Sequence, residues 1–100
     1  MKILEFFELL NCKFCQKVRN DSIPVLRMKY EVIPLDVDHD YIHESVRAWK
    51  SVCQGRVPAI RVVEDGRIEW IVGAGKIAEF ARSIPSEIEV RVFPSMSVIG

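Results

Sequence analysis

The chain has 100 residues, of which 49% are hydrophobic and 28% are charged, and its 14 Lys and Arg residues balance 14 Asp and Glu residues. This length and composition fit one small globular domain, and they exclude a second folded unit, a collagen-like repeat and a disordered chain. Because the formal net charge is zero, the chain lacks the general positive field that attracts a nucleic-acid backbone or an anionic membrane. We therefore expect neither nucleic acid nor a membrane as a partner.

The sequence contains no membrane-spanning or secretory pattern. No segment approaches the roughly 18 to 20 uninterrupted apolar residues of a membrane span. The opening residues 1–8 include Glu5 and Glu8, where a signal peptide needs an apolar run. Three cysteines, unevenly spaced, do not make a secreted disulfide framework. These features predict a cytoplasmic protein.

The first half of the chain predicts a strand, a helix and a second strand. The apolar run at residues 2–7 is too short for a helix and suits a buried strand. A helix is expected over residues 12–29, kinked just before Pro24 because proline lacks the N–H that a helix interior needs. Residues 30–37 predict a short outer strand, since Pro34 confines it to a sheet edge.

A second helix is predicted where apolar residues recur at spacings of three and four. Asp38 or Asp40 would cap its start, and Gly55 would end it. Cys53 is interpreted as a small core residue of this helix, because free cysteine is among the most buried residue types. The stripe expected to face the core comprises Ile42, Val46, Trp49, Val52 and Cys53.

A hairpin and a last helix are predicted next. Residues 58–63 and 67–72 indicate two antiparallel strands, because the pair Asp65-Gly66 favours a tight turn between them. The break at residues 73–75 then precedes a helix that ends before Pro85. The order is therefore β-α-β-α-β-β-α.

The tail beyond this helix carries one more pattern. Residues 88–92 alternate apolar and charged side chains, which predicts an extra strand that docks on this chain or on a second copy. We therefore divide the chain into a domain at residues 1–84 and an extension at residues 85–100.

The segment Cys12-Lys13-Phe14-Cys15 carries the chemistry. Cysteines one helical turn apart bring their Cα atoms within the roughly 4.4 to 6.8 Å that a disulfide requires. At a helix start, the Cys12 sulfur would face unpaired N–H groups and the positive end of the helix dipole, which favour a thiolate. Cys12 is therefore the predicted nucleophile, and Cys15 the thiol that attacks the mixed disulfide formed first. Metal binding and an inert pair remain the alternatives for an isolated CxxC motif.

Three motifs in this order resemble the thioredoxin and glutaredoxin superfamily over residues 2 to about 84. They are the strand followed by Cys12-Lys13-Phe14-Cys15, Val57-Pro58 before a strand, and Val72-Gly73-Ala74 before the last helix. The short first segment is similar to that of small, glutaredoxin-sized members. The resemblance implies an α/β protein of thioredoxin-like fold, with a central four-stranded mixed sheet flanked by three helices, to which the tail adds an extra C-terminal strand.

The resemblance also implies the roles of individual residues. Cys12 and Cys15 would be catalytic. Pro58 would follow a cis peptide bond, leaving the backbone of Val57 free to pair with an extended substrate. Thioredoxins place a buried Asp six residues before the first cysteine, where this chain has Phe6, so the proton acceptor would be Glu5 or Glu8. The residues expected to bind substrate are Lys13, Phe14, Val57, Pro58 and Gly73.

The implied function is thiol-disulfide exchange between the Cys12/Cys15 pair and protein or small-molecule disulfides. No bound cofactor is expected, and an external thiol or reductase would regenerate the dithiol. The partners would be a disulfide-containing protein substrate, a disulfide reductase or small thiol, and a second copy of the chain in a homodimer formed through the C-terminal strand.

The alternative hypothesis is a non-catalytic thioredoxin-fold module that mediates interactions, binds metal or senses redox state. His39 and His43, four residues apart on the predicted second helix, would complete a Cys₂His₂ metal set in that case. Turnover of a disulfide distinguishes the enzyme from the module.

Overall fold

The structure is a computed structural model that describes residues 2–85. The order of its elements is the predicted β-α-β-α-β-β-α, with the first helical stretch divided into three consecutive pieces. The predicted tail strand at 88–92 lies outside the described residues. The elements are β1 (Lys2–Glu8), α1 (Lys13–Lys17), a π-helical turn (Val18–Ser22), α2 (Ile23–Leu26), β2 (Glu31–Asp36), α3 (Glu44–Cys53), β3 (Ala59–Glu64), β4 (Arg67–Val72) and α4 (74–85).

The four strands form one mixed sheet in the order β2-β1-β3-β4. β1 runs parallel to β2 and antiparallel to β3, and β3 and β4 are antiparallel. β2 is an outer strand, as Pro34 predicted. Asp65 and Gly66 have φ values of 51° and 83°, the left-handed conformations that a tight hairpin requires. The predicted fold class is therefore confirmed for the described part of the chain.

The two faces of the sheet bury separate clusters of side chains. Successive side chains of a strand point to opposite faces, so β1 supplies both clusters: Leu4 and Phe6 pack with α2 and α4, while Phe7 packs with α3. Phe7 stacks on Trp49 and Trp70, with ring centroids 6.1 and 5.7 Å away. The end of β1 is therefore packed on both faces of the sheet, and Cys12 lies in the loop that follows this strand.

The kink expected before Pro24 is a π-helical turn. The Ile23 N–H donates to the Val18 carbonyl, five residues back. Pro24 has no N–H to donate, and it lies in the first turn of α2, where that donor is not needed. The helix ends at Leu26, three residues before the predicted end.

The start of α3 differs from the prediction. His43 caps the helix, and its Nδ1 accepts the Ser45 N–H at 3.1 Å. Neither Asp38 nor Asp40 caps it, because the segment before His43 forms a separate turn. There the Asp36 carboxylate accepts the N–H groups of Asp38 and His39. The predicted end is confirmed, since α3 stops at Cys53 just before Gly55.

Two members of the predicted α3 stripe were assigned wrongly. Ile42 and Val52 are 68% and 54% exposed, whereas Val46, Trp49 and Cys53 are buried. Ile42 precedes the helix, so its side chain does not follow the helical period. Val52 lies about 240° around the helix from Val46 at about 100° per residue, outside the buried stripe.

Candidate active site

Cys12 and Cys15 lie in the first helical turn after β1. Cys12 is the N-cap of α1, with extended φ and ψ of −90° and 119°, and its Sγ accepts the Cys15 backbone N–H at 3.3 Å. The Gln16 N–H donates to the Cys12 carbonyl and begins the helical ladder. Cys12 is partly exposed, whereas Cys15 has no exposed surface. The thiol predicted to attack first is thus the accessible member of the pair.

The Cys15 thiol is held in its protonated form. The pKa of Cys15 is raised to about 12, chiefly by burial and also by a hydrogen bond with the Cys12 side chain and by the charges of Cys12 and Glu8, while a backbone hydrogen bond from Leu9 opposes the rise. The two cysteines are also joined by the hydrogen bond from the Cys15 backbone N–H to Cys12 Sγ, so they are close neighbours. Cys15 can therefore attack a neighbouring sulfur only after it loses its proton.

Alkylation with iodoacetamide at pH 8 should modify Cys12 first. With a pKa of about 12, only about one Cys15 side chain in ten thousand is a thiolate at that pH. Burial also raises the pKa of Cys53. Reactivity of Cys15 should rise with pH up to about 12, the direction expected for a raised thiol pKa. Intact mass and peptide mapping would measure the order, and first labelling of Cys15 or Cys53 would contradict it.

A buried carboxylate lies close to the cysteine pair. Glu8 ends β1 on the face occupied by Leu4 and Phe6, and it is 7% exposed. It forms an ion pair with Arg19 of the π-helical turn, whose Nε lies 2.8 Å from Glu8 Oε1 and whose Nη2 also contacts that oxygen. Because the charge of Glu8 contributes to the pKa of Cys15, the carboxylate and the thiol are electrostatically coupled.

Glu5, the other carboxylate considered from the sequence, occupies the opposite face of β1. It pairs with Arg61, whose Nε is 2.5 Å from Glu5 Oε1 and whose Nη2 donates to Ser45 Oγ. The guanidinium also lies 5.3 Å from the centre of the Trp70 ring. Glu5 therefore belongs to a network beneath α3, whereas Glu8 is the carboxylate that interacts with Cys15.

The residues expected to contact substrate lie in two groups. Lys13 and Phe14 are on the same turn as the cysteines, and Phe14 is 67% exposed. The Val57–Pro58 peptide bond is cis, as the resemblance implies. The Pro58 carbonyl accepts the Gly73 N–H at 2.9 Å, and Gly73 has a φ of 100° that favours glycine. The last two predicted residues are thus joined directly by a backbone hydrogen bond.

Sequence reasoning missed two parts of this site. One is Arg19, whose pairing with Glu8 follows only when the chain direction after β1 is known. The other is the turn at 36–40, which faces Cys12 across the surface. Glu8 itself could be identified from the sequence. It alternates with Leu4 and Phe6, which places an acid on a buried face of the strand.

The structure does not assemble the Cys₂His₂ set. His39 lies in the turn before α3 and His43 caps that helix, so the two do not share a helical face as predicted. Across residues 2–85, no group of three or more His, Cys, Asp and Glu side chains has an arrangement that could hold a metal ion. In the same range, no helix has the length and apolar character needed to cross a membrane.

The fold is that of the thioredoxins. Mitochondrial thioredoxin 3 from Saccharomyces cerevisiae superposes with a TM-score of 0.61 at 19% identity, over 85% of this chain and 77% of that one. The germline-specific thioredoxin Deadhead from Drosophila melanogaster gives 0.64 at 18% identity, over 85% and 79%. Fasciola hepatica thioredoxin gives 0.60 at 22% identity, over 83% and 80%. No protein-family model and no curated protein sequence matches the chain.

Proposed function

We propose that this protein is a thiol-disulfide oxidoreductase that uses Cys12 as nucleophile and Cys15 as resolving thiol. The observation that carries the proposal is the geometry of the pair. The Cys12 sulfur accepts a backbone N–H at the start of a helix, and the buried Cys15 thiol contacts it through a hydrogen bond. Cys12 is partly exposed and can be reached by a substrate, and Cys15 lies one helical turn away, so it needs no large movement to follow.

The reaction proceeds in two exchanges. The Cys12 thiolate attacks one sulfur of the substrate disulfide, forms a mixed disulfide and releases the first substrate thiolate. Cys15 then loses its proton and attacks Cys12 Sγ, so that the Cys12–Cys15 disulfide forms and the second substrate thiolate leaves. The substrate gains two electrons and the protein dithiol loses them. Protons from Cys15 and from solvent complete the substrate thiols.

Glu8 is our candidate for the proton acceptor in the second exchange. Its carboxylate is buried and coupled electrostatically to Cys15. Arg19 would hold that carboxylate in place throughout the cycle. Glu5 is the weaker candidate, because its partners lie on the other face of the sheet.

Substrate contacts are assigned to the residues around the pair. Phe14 and Lys13 are exposed beside the cysteines, and an exposed aromatic side chain is suited to contact a protein partner. The cis peptide at Val57–Pro58, joined to Gly73, would present the Val57 backbone to an extended segment of the substrate as an added strand.

The cycle uses no resident cofactor. A disulfide reductase or a small thiol of the cytoplasm would return two electrons and two protons to the Cys12–Cys15 disulfide, which places the protein in an electron-transport chain to disulfide-containing proteins. Homodimer formation through residues 88–92 remains a separate expectation, to be tested by the mass of the protein in solution with and without those residues.

Reduction of insulin in the presence of dithiothreitol tests the function. The wild-type protein should accelerate insulin reduction, and Cys12→Ser should reduce the rate to that of dithiothreitol alone. Cys53→Ser is the matched control, because it removes a buried thiol outside the pair and should keep the activity. Stoichiometric zinc in the purified protein together with no turnover would contradict the enzyme and support the non-catalytic module.

Glu8→Gln should slow the second exchange. General-base catalysis contributes about a hundredfold or more, so we expect resolution of the mixed disulfide to become about 100-fold or more slower while attack by Cys12 is little changed. Quenched-flow experiments with acid would measure the rates of the two steps separately. Glu5→Gln removes a similarly buried, arginine-paired carboxylate from the opposite face and should leave the resolution rate unaltered. Equal slowing by both variants would exclude a specific role for Glu8.

A further inference from the structure

An open groove of about 500 Å³ lies directly beside Cys12. One wall is the loop after β1, with Leu9, Leu10 and Cys12, and the other is the turn after β2, with Asp36, Asp38 and His39. Leu10 is 66% exposed, so the groove has an apolar wall as well as an acidic one. The groove can therefore take residues that flank a substrate disulfide at the Cys12 sulfur.

The acidic wall has one carboxylate that the turn uses, that of Asp36, and one that it does not, that of Asp38. The Asp36 carboxylate accepts two backbone N–H groups of the turn, and Asp40 accepts the Asp36 N–H. Asp38 is exposed, and its carboxylate forms no hydrogen bond or ion pair with other residues in the range 2–85. The groove lining contains two carboxylates and neither Lys nor Arg.

We propose that this groove selects polypeptide substrates whose disulfide cysteine is flanked by Lys or Arg. The proposal rests on the oxidoreductase function and specifies its substrate class. The alkyl stem of a long basic side chain can pack on Leu10 while its charged end reaches Asp38, as such side chains do at apolar surfaces with polar rims. Exposed Leu10 and Phe14 flank Cys12, and covering both requires a partner larger than a small thiol.

The size of the preference follows from Coulomb's law. One charge pair about 6 Å apart in water changes a rate about threefold. Relative to an uncharged peptide, two carboxylates should speed the reaction of a basic peptide about tenfold and slow that of an acidic peptide about tenfold at low salt, which gives a basic-to-acidic ratio of about a hundredfold. Salt shortens the range of the interaction to about 8 Å at 0.15 M and about 3 Å at 1 M, so the preference should shrink as salt is added.

Two peptides that differ only in charge provide the test. Each carries one cysteine as a mixed disulfide with thionitrobenzoate, flanked by Lys residues in one peptide and by Glu residues in the other. Release of thionitrobenzoate by the reduced protein reports the rate at low and high salt. The rate on oxidised glutathione serves as a reference that does not fill the groove.

Asp38→Asn is the variant that probes the groove, because it removes one charge and keeps the backbone N–H that the turn uses. Glu31→Gln is its control. It removes one exposed charge at the start of β2. Glu31 and Asp36 stand at the two ends of this strand, about 16 Å apart at about 3.3 Å per residue. We expect Asp38→Asn to lower the basic-to-acidic rate ratio about tenfold and Glu31→Gln to leave it unchanged.

The outcomes separate the two proposals. Equal rates on both peptides, or a ratio that responds equally to Asp38→Asn and Glu31→Gln, would overturn the groove proposal while exchange itself stands. Failure of the protein to react with either peptide and with oxidised glutathione would overturn the oxidoreductase function and the groove proposal with it. A basic preference lowered by Asp38→Asn alone would support both.

Discussion

Replacement of Cys15 with Ser should leave the protein covalently attached to its substrate. Cys12 still attacks the substrate disulfide, but no second thiol on the same turn can displace it. Loss of an intramolecular thiol removes a large effective concentration, so release of the second substrate thiol should slow by about a thousandfold or more. Reduced protein mixed with one equivalent of a disulfide substrate, without other thiols, should yield a mixed disulfide visible by non-reducing electrophoresis and mass spectrometry.

The controls for this experiment use the other two cysteines. Cys12→Ser should yield no adduct, because Cys15 is buried and its pKa is raised to about 12. The Cys15→Ser, Cys53→Ser double variant should trap as much substrate as Cys15→Ser. If trapping required Cys53, the assignment of Cys12 as the nucleophile would be wrong.

Phe7→Ala should cost a large part of the free energy of unfolding. Phe7 has no exposed surface and lies between Trp49 and Trp70. Removal of a buried phenyl ring leaves a cavity and costs about 3 to 5 kcal/mol, against a total of about 5 to 15 kcal/mol for a small domain. Urea denaturation followed by tryptophan fluorescence measures the loss directly, because both tryptophans report on this cluster.

The same substitution at Phe14 is the matched control. Phe14 is 67% exposed, and a surface substitution usually changes stability by no more than about 0.5 kcal/mol. Phe14→Ala should therefore keep the urea midpoint and affect only the reaction with protein substrates. An unchanged midpoint for Phe7→Ala would show that the ring stack does not stabilise the domain.

The order of the elements could be predicted because strong local signals mark each boundary. The apolar run of β1, the Asp65-Gly66 turn and Gly55 each act through a few neighbouring residues, and β4 begins and ends as predicted. The first residues of α3 could not be located in this way. Asp38 and Asp40 are the caps that the sequence predicts, and His43 takes that role instead because Asp36 forms a separate turn with the backbone that follows it.

The candidate site was predictable as far as its cysteines, the cis bond before Pro58 and the choice of Glu5 or Glu8 as the nearby carboxylate. A CxxC motif after a strand indicates the reacting sulfurs, because one helical turn separates them whatever surrounds the helix. The surroundings depend on contacts between distant segments. Glu8 meets Arg19 across the β1–α1 reversal, and Asp38 approaches Cys12 because β2 runs parallel to β1 and ends beside it. Neither neighbour follows from the spacing of residues along the chain.

The π-helical turn sets how far α2 is rotated about the helix axis relative to the first turn of α1, which carries the cysteines. Val18–Ser22 holds one surplus residue relative to an α-helical ladder, since Ile23 bonds five residues back instead of four. If the same residues formed an unbroken α-helix, α2 would be rotated by about 100° about the helix axis relative to Cys15. Deletion of one residue here would instead keep the present phase, because Ile23 would then bond to the Val18 carbonyl as the fourth residue after it. In the unbroken helix of the same length, Ile23 would leave the buried face that it shares with Cys15, so the orientation of the reactive sulfurs relative to the core depends on one residue that lies outside the CxxC motif.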